Sequence, residues 1–383
     1  MEGISGLSSN TTLPFSLLPS SPSPYTLTPP SPPSSPTSPT STSPSLLPVA
    51  AYWFMSLIFH LIDKYELWSQ YRIHTPEEFK QRNRVSVREV LHSIIFQQAI
   101  QTALGLLIGY LTDPADEVGR EEFDVAVWTG RIHRAVQQAG IYIPYVLAPV
   151  GVDAKTLGHN IHTYAAAFGP TIGTANKKPL ALMNLVFSSH EGQVWTSAYS
   201  AWEIYAAKTI YWVLEPAARF GIAIFFSDSW QYFWHRAMHS NRWMYRNMHA
   251  HHHQIYVPYA FGAFYNTFSE AFLLDTIGTT LSLMLSGLTI RQTMFFSTIS
   301  VMKGVDDHCG YRLPWDPLQW GNEQNTQFHD VHHQSWGIKS NYSQLYTTFW
   351  DHVCNTVCPK SSEEIDELYR KGRIAAEKAE KGQ

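Results

Sequence analysis

Three groups of histidines in the second half of the chain have the spacing of metal ligands. Ten of the eighteen histidines lie between residues 235 and 333. They follow the patterns HxxxH, HxxHH and HxxHH at residues 235–239, 249–253 and 329–333. Residues three and four apart are neighbours on one face of a helix, so each group would present its imidazoles together. The spacing predicts one metal centre built by several helices.

The patterned histidines are too many for one ion. A closed structural zinc site takes four ligands, usually with cysteine, and a catalytic zinc takes three protein ligands. Eight histidines have ligand spacing here, which is about right for two ions: His235, His239, His249, His252, His253, His329, His332 and His333. Imidazole binds zinc, copper, iron and nickel, so the ligand type does not choose the metal. Two irons would permit attack on a C–H bond with dioxygen, whereas two zincs would permit hydrolysis.

Spacing alone does not decide the roles of other polar residues near these groups. His251 lies two residues from His249 and points to another helical face, so we predict a surface non-ligand. His308, in DDHCGY, is isolated in sequence but is a candidate ninth ligand. Four aspartates could accept hydrogen bonds from ligand N–H groups, or could equally cap helices or carry solvated charge: Asp228, Asp306, Asp307 and Asp330. Four histidines lack ligand spacing and are predicted to be ordinary surface or core residues: His133, His159, His162 and His190.

Composition favours a membrane protein. Only 15% of residues are charged, against roughly 25% in soluble domains. The chain contains 13 Trp and 20 Tyr, residues that are enriched at membrane interfaces. The net charge of −4 gives no electrostatic argument for nucleic-acid binding. Three cysteines are too few for a disulfide framework, so we expect free or buried thiols.

Apolar runs predict membrane helices and a hairpin. Single runs occupy residues 48–62, 90–112 and 202–226. Residues 271–301 would form a helix of about 46 Å, too long for one upright span, so we predict a hairpin broken near Gly287. Lys and Arg are concentrated in the connector 63–89, which the positive-inside rule places in the cytoplasm. The hairpin would return the third histidine group to the side that holds the first two.

The sequence therefore predicts an all-α, multi-pass membrane protein with a cytoplasmic, histidine-rich di-metal helical cap. Four regions follow from the composition shifts. They are a disordered Ser/Pro-rich tail at 1–47, transmembrane helices and connectors at 48–226, a histidine-box domain at 227–355 that includes the hairpin 271–301, and a charged C-terminal tail at 356–383.

These motifs resemble the fatty acid hydroxylase / sterol desaturase superfamily of membrane non-haem di-iron enzymes. The superfamily carries the same three boxes. Several longer stretches are similar to fungal sphinganine C4-hydroxylases, among them QYRIHTPEE at 70–78, VPYAFGAFYN at 257–266 and VDDHCGYRLPWDPLQ at 305–319. The resemblance extends over most of the chain from Leu46 to Trp350 and is most specific in 228–350.

The resemblance implies an enzyme of the endoplasmic reticulum membrane that hydroxylates C4 of sphinganine or dihydroceramide, giving the phytosphingosine form. It implies two Fe²⁺ ions, dioxygen, and electrons from NADPH through a partner such as cytochrome b5 or a reductase. The implied ligands are the eight patterned histidines. His308 stays a candidate ninth ligand because of its place in the chain, and no further catalytic residue is identified. Thr267 stands where the family commonly has histidine (YNHP), outside the three boxes, so we expect an indirect effect on the site at most.

Two other functions fit the same ligands. A desaturase or hydroxylase of the superfamily acting on a sterol or fatty-acyl chain begins with the same hydrogen abstraction, and product analysis would separate it. A zinc-dependent membrane hydrolase, or an inactive metal-binding scaffold, would be separated by metal analysis. Zinc after ordinary overexpression would not decide, because a nitrogen site favours zinc over ferrous iron.

Overall fold

The structure is a computed structural model that describes residues 43–111, 120–147, 156 and 199–382. All regular elements in these residues are helical, apart from one isolated antiparallel bridge between Arg72 and Tyr311. The predicted all-α fold class is confirmed. The described residues divide into two compact units, one within residues 120–217 and the other within residues 43–111 and 218–382. Most of the predicted N-terminal tail, and His159, His162 and His190, lie outside the described residues.

The larger unit begins with three helices. They are α1 (Ser43–Lys64), α2 (Pro76–Arg82) and α3 (Val87–Leu111). Helix α2 starts at a capping box in which Thr75 and Glu78 each bond the other's backbone N–H. Helix α1 contributes Tyr52, whose hydroxyl donates to the Phe261 carbonyl over 2.8 Å in the buried core.

The smaller unit contains α4 (Arg120–Leu147), α5 (Ala201–Thr209) and a π-helical turn, Ile210–Leu214. His133 on α4 bonds through Nδ1 to Glu203 Oε1 over 2.8 Å. This contact agrees with the prediction that His133 is an ordinary histidine.

The chain then continues through α6 (Glu215–Ser240) and α7 (Arg242–Met244). A π-helical turn and two 3₁₀ turns follow α7: Tyr245–His249, His252–Gln254 and Ala260–Phe264. π-helical turns inside helices are frequent at functional sites, because the extra residue changes the direction of the side chains that follow.

The apolar region 271–301 is interrupted at Gly287. Helix α8 (Phe268–Ala271) continues through a π-helical turn, Phe272–Ile277, into α9 (Gly278–Ser286). Gly287 then adopts a left-handed conformation with φ of 62°, which glycine tolerates and which ends the helix. Helix α10 (Ile290–Asp307) starts after Thr289, which caps it, and packs along α1.

The C-terminal region forms α11 (Thr326–His333), α12 (Phe349–Val353) and α13 (Ser362–Glu380). Helix α13 lies against α2, where Gln81 Nε2 donates to the Ala376 carbonyl over 3.0 Å. Tyr369 and Ala376 of α13 are buried. The segment predicted as a charged tail is therefore an amphipathic helix with one face packed on the protein.

Four helical segments are long and apolar enough to cross a membrane. They are Leu46–Lys64, Val87–Leu107, Ala201–Ser240 and Phe268–Ser286. Each contains or overlaps an apolar run predicted from the sequence. Large apolar side chains on these segments are exposed, such as Phe54, Phe96 and Met284, which suits a surface in contact with lipid. The chain is a membrane protein with several candidate spans.

Candidate metal centre

The structure brings all nine predicted histidines together in two adjacent groups. We call His235, His239, His249, His253 and His332 the five-histidine group, and His252, His308, His329 and His333 the four-histidine group. Within each group the candidate ligand atoms lie within 4.8 Å of one another. The rings of His253 and His333, one from each group, are 4.8 Å apart. Two neighbouring metal positions are therefore available.

The helical spacing explains how the sequence motifs divide between the groups. Pairs four residues apart stay in one group: His235 with His239, His249 with His253, and His329 with His333. Adjacent residues belong to different groups, because one residue turns a helix by about 100°. Both HxxHH motifs thus contribute to both groups, and this couples the two positions.

Helix α6 presents His235 and His239, and α11 presents the third motif. The second motif lies on the π-helical turn that ends at His249 and on the 3₁₀ turn that follows. His308 is the residue at the C-terminal end of α10. Four separate stretches of chain therefore meet at the centre.

The hydrogen bonds of the rings fix which nitrogens face the centre. Nδ1 of His235 donates to the Tyr342 carbonyl over 2.7 Å, and Nδ1 of His332 donates to the Ser340 carbonyl over 2.8 Å. Nδ1 of His333 donates to the Ile255 carbonyl over 2.7 Å. A carbonyl oxygen can only accept, so a neutral ring bonded in this way carries its lone pair on Nε2. Partners of this kind orient the ligand rings in metal sites.

The inward nitrogens face one another at short distance. Nε2 of His235 lies 3.0 Å from Nε2 of His249, whose own Nδ1 is bonded to Glu270 Oε1 over 2.5 Å. In the four-histidine group, Nε2 of His329 lies 3.0 Å from Nε2 of His308. Where both Nδ1 atoms carry the proton, two lone pairs meet without a donor. A cation between such nitrogens removes the repulsion, so the donor set fits metal ions.

Burial keeps these imidazoles neutral, which is the form that binds metal. It lowers the pKa of His252 and of His308 to about 3. It also holds the pKa of His249, His329 and His333 well below its ordinary value, with neighbouring imidazoles adding to the effect. Nε2 of His332 is buried without a hydrogen-bond partner. The buried, neutral imidazoles are therefore suited to binding metal rather than to transferring protons.

A cavity of about 370 Å³ lies against only one of the two groups. His252, His308 and His329 of the four-histidine group line it, and no member of the five-histidine group does. Val49 and Tyr52 of α1 also line it, together with residues of α3, α6, α8, α9 and α10 and of the π-helical turn Phe272–Ile277. The cavity thus connects the four-histidine group to helices that can face lipid.

Two predictions concern residues near the groups. His251 belongs to neither group and stacks on the Tyr265 ring, with centroids 4.1 Å apart. Thr267 is the N-cap of α8: its Oγ1 accepts from Glu270 N and donates to the Met248 carbonyl. It holds the start of the helix that carries Glu270, which in turn bonds His249.

The four aspartates near the motifs have neither of the roles predicted from the sequence, which were to accept from ligand N–H groups or to cap helices and carry solvated charge. Within the described residues, none is hydrogen-bonded to a grouped histidine, and all are buried rather than solvated: Asp228, Asp306, Asp307 and Asp330. Asp228 accepts from the backbone N–H groups of Tyr346 and Thr347. Asp330 is bonded by His74 and Tyr369. They anchor the loops and helices around the centre instead.

The carboxylate that does bond a grouped imidazole is Glu270, which sequence reasoning did not select. Thr267-Phe268-Ser269-Glu270 has the spacing of a capping box, a pattern that assigns Glu270 to the helix start. In the structure Thr267 accepts the backbone N–H, but the Glu270 carboxylate turns to His249 instead. Only the tertiary fold distinguishes these two partners.

Comparison with known proteins agrees with this geometry. The sequence model of the fatty acid hydroxylase family matches residues 220–356, which hold the nine histidines. A sphingolipid C4-hydroxylase of Saccharomyces cerevisiae is 36% identical over 81% of this chain and 69% of its own length. A sphingolipid C4-hydroxylase of Schizosaccharomyces pombe is 35% identical over 86% of this chain and 92% of its own. A sphinganine C4-monooxygenase of Arabidopsis thaliana is 45% identical over 39% of this chain and 58% of its own. No solved structure matches.

Proposed function

We propose that this chain, which belongs to the fatty acid hydroxylase family, hydroxylates C4 of a sphingoid base held in the membrane. The relatives named as C4-hydroxylases of sphingolipids and of sphinganine support the substrate and the position. The family supports an oxidoreductase. In balanced form, the C4–H bond, one O2, two electrons and two protons give the C4 alcohol and one water.

The observation that carries the proposal is the cavity shared by the four-histidine group and the membrane helices. A lipid whose chain lies among α1, α3 and α10 would bring a methylene next to His252, His308 and His329. Regiochemistry would then follow from how the substrate is held, since an ångström of misplacement can change the rate greatly.

The five-histidine and four-histidine groups would each hold one iron ion. Bound iron would supply the activation of dioxygen. The protein supplies the neutral imidazoles, the carbonyl and Glu270 bonds that orient them, and a buried wall that keeps water from the reacting methylene.

We further propose that the electrons come from NADPH through cytochrome b5 or a reductase. The sequence carries no recognisable nicotinamide or haem motif, which supports delivery by a partner. The proposed location is the endoplasmic reticulum membrane, with the histidines facing the cytoplasm, as the basic connector 63–89 favours.

The test is expression in yeast that lacks its own C4-hydroxylase, with mass spectrometry of the long-chain bases. We expect phytosphingosine to reappear with the wild-type chain and to be absent with His333→Ala at equal protein level. Desaturated bases, or hydroxylated sterols without phytosphingosine, would overturn the assignment.

Metal analysis tests the oxygenase chemistry separately. Protein purified from iron-replete, zinc-limited cells should contain about two iron ions per chain, as two ligand groups imply. Two zincs and no iron under these conditions would support a hydrolase instead.

A further inference from the structure

Three buried oxygen atoms on the cavity wall lack hydrogen-bond partners. They are Gln231 Oε1, Glu270 Oε2 and Asp275 Oδ2. Glu270 and Gln231 are 1% and 6% exposed, so water does not satisfy them freely. Leaving a buried acceptor unpaired costs about 1–3 kcal/mol, and more for a charged group. Three such atoms lining one cavity indicate a ligand that brings donors.

The two carboxylates make the required donor more specific. Glu270 and Asp275 are close enough to interact electrostatically, and they belong to the candidate span Phe268–Ser286. Among the described residues, no Lys or Arg lines the cavity. Ionisable residues inside a membrane-spanning segment usually mark a substrate or ion site. A cation with several N–H donors would satisfy both carboxylates and the Gln231 oxygen.

The position of these residues relates the cation to the metal centre. Asp275 lies on the π-helical turn Phe272–Ile277. The side chains of Asn266 and Gln231 are both within hydrogen-bonding reach of Asp275, and Asn266 also reaches the ring of His252. Glu270 itself bonds His249 through its other oxygen. Glu270 therefore contacts the histidines directly, and Asp275 is separated from His252 by the Asn266 side chain.

We propose that Asp275, Glu270 and Gln231 bind the protonated amine of a free sphingoid base. This inference rests on the proposed C4-hydroxylation and adds the form of the substrate. In sphinganine the amine is on C2, so C4 is three bonds from the nitrogen. An amine at the carboxylates keeps C4 within three bonds of them, in a cavity that His252, His308 and His329 also line. An N-acylated base lacks the positive charge and leaves the two carboxylates without a cation.

The test uses full-length protein in detergent micelles and measures binding and turnover of two lipids, sphinganine and N-acetylsphinganine. Asp275→Asn keeps the shape of the side chain and removes its charge. We expect at least tenfold weaker binding of sphinganine and a raised KM, while binding of N-acetylsphinganine changes less than twofold. Asp366→Asn, an exposed aspartate on α13, is the matched control and should behave as the wild type.

The outcomes separate this inference from the proposed function. If Asp275→Asn weakens the binding of both lipids equally, or of neither, the proposed amine site is wrong. This holds even when both lipids yield C4-hydroxylated products. If wild-type protein binds N-acetylsphinganine more tightly than sphinganine, the preference for a free base is wrong. If the charge-dependent binding is found but no C4 product forms, the amine site stands and the reaction assignment fails. Iron content measured in each variant excludes metal loss as the cause.

Discussion

Raising the pH from 6.5 to 9.5 should weaken the packing of α2 and α13 on α11, because a buried histidine loses its proton there. His74 is 5% exposed. Its Nε2 lies 3.1 Å from both carboxylate oxygens of Asp330, and its Nδ1 lies 3.1 Å from Glu78 Oε1. Tyr369 of α13 donates to Asp330 over 2.8 Å. Three elements thus share one charged cluster.

The size of the effect follows from the pKa of His74. Burial alone would lower that pKa, but Asp330 and then Glu78 favour the charged ring and raise it from 6.5 to about 9. One pKa unit corresponds to about 1.4 kcal/mol, so the cluster contributes at most about 3 kcal/mol to the free energy of unfolding. Because the folded pKa lies above the unfolded one, this contribution is complete below pH 6.5. It is lost as the pH rises through about 9.

The assay is the thermal unfolding temperature of the detergent-solubilised protein between pH 6.5 and 9.5. Other groups also titrate in this range, so the quantity to compare is the slope against pH. His74→Gln should flatten that slope, whatever it does to stability at neutral pH. His352→Gln is the control, since His352 pairs with Glu323 at an exposed position where ion pairs contribute little. Equal slopes for the wild type and His74→Gln would refute the reasoning.

Four further substitutions test the metal centre and the packing of the third motif. His252→Ala should abolish formation of the C4-hydroxylated product, whereas His251→Ala should keep most of it. Mass spectrometry of the lipids measures both. An inactive His251→Ala variant at normal protein level would contradict the ligand assignment. Glu270→Ala should weaken metal retention by about 10–100-fold in chelator competition, because it removes the partner of a ligand imidazole; unchanged retention would show that the bond is incidental. Gly337→Ala should destabilise the protein by about 1–3 kcal/mol, because its Cβ would collide with the carbonyl of Val331, a residue within the third motif. Thermal unfolding measures this, and an unchanged melting temperature would refute the prediction.

Local spacing predicts which histidines share a helical face but not what surrounds them. Histidines four apart share a helical face, so the pairs within each motif follow from the sequence alone. His308 has no patterned neighbour, and only the end of α10 brings it to His329. The division into five and four also depends on how α6, α10 and α11 meet. No local pattern contains that information.

The orienting partners were harder still to predict, because most are backbone carbonyls. Tyr342, Ser340 and Ile255 each accept from a grouped histidine through the main chain. Every residue offers such a carbonyl, so residue type carries no information about it. Residue type instead favours the aspartates near the motifs as partners, and these hold loops. The C-terminal helix α13 is a further example. Its charged sequence predicts an exposed segment, but the Tyr369 hydroxyl donates a hydrogen bond to Asp330, which is distant in sequence.

The unequal sizes of the two histidine groups bear on where the proposed reaction would take place. An ion held by five imidazoles has fewer free coordination positions than one held by four. The cavity contacts only the four-histidine group, so the group with more free positions is also the one that a substrate can reach. Glu270 bonds the five-histidine group through one oxygen and lines the cavity with the other. Substrate binding at Glu270 would therefore change the hydrogen bond between Glu270 and His249. Through this bond, an occupied cavity would affect the metal position of the five-histidine group.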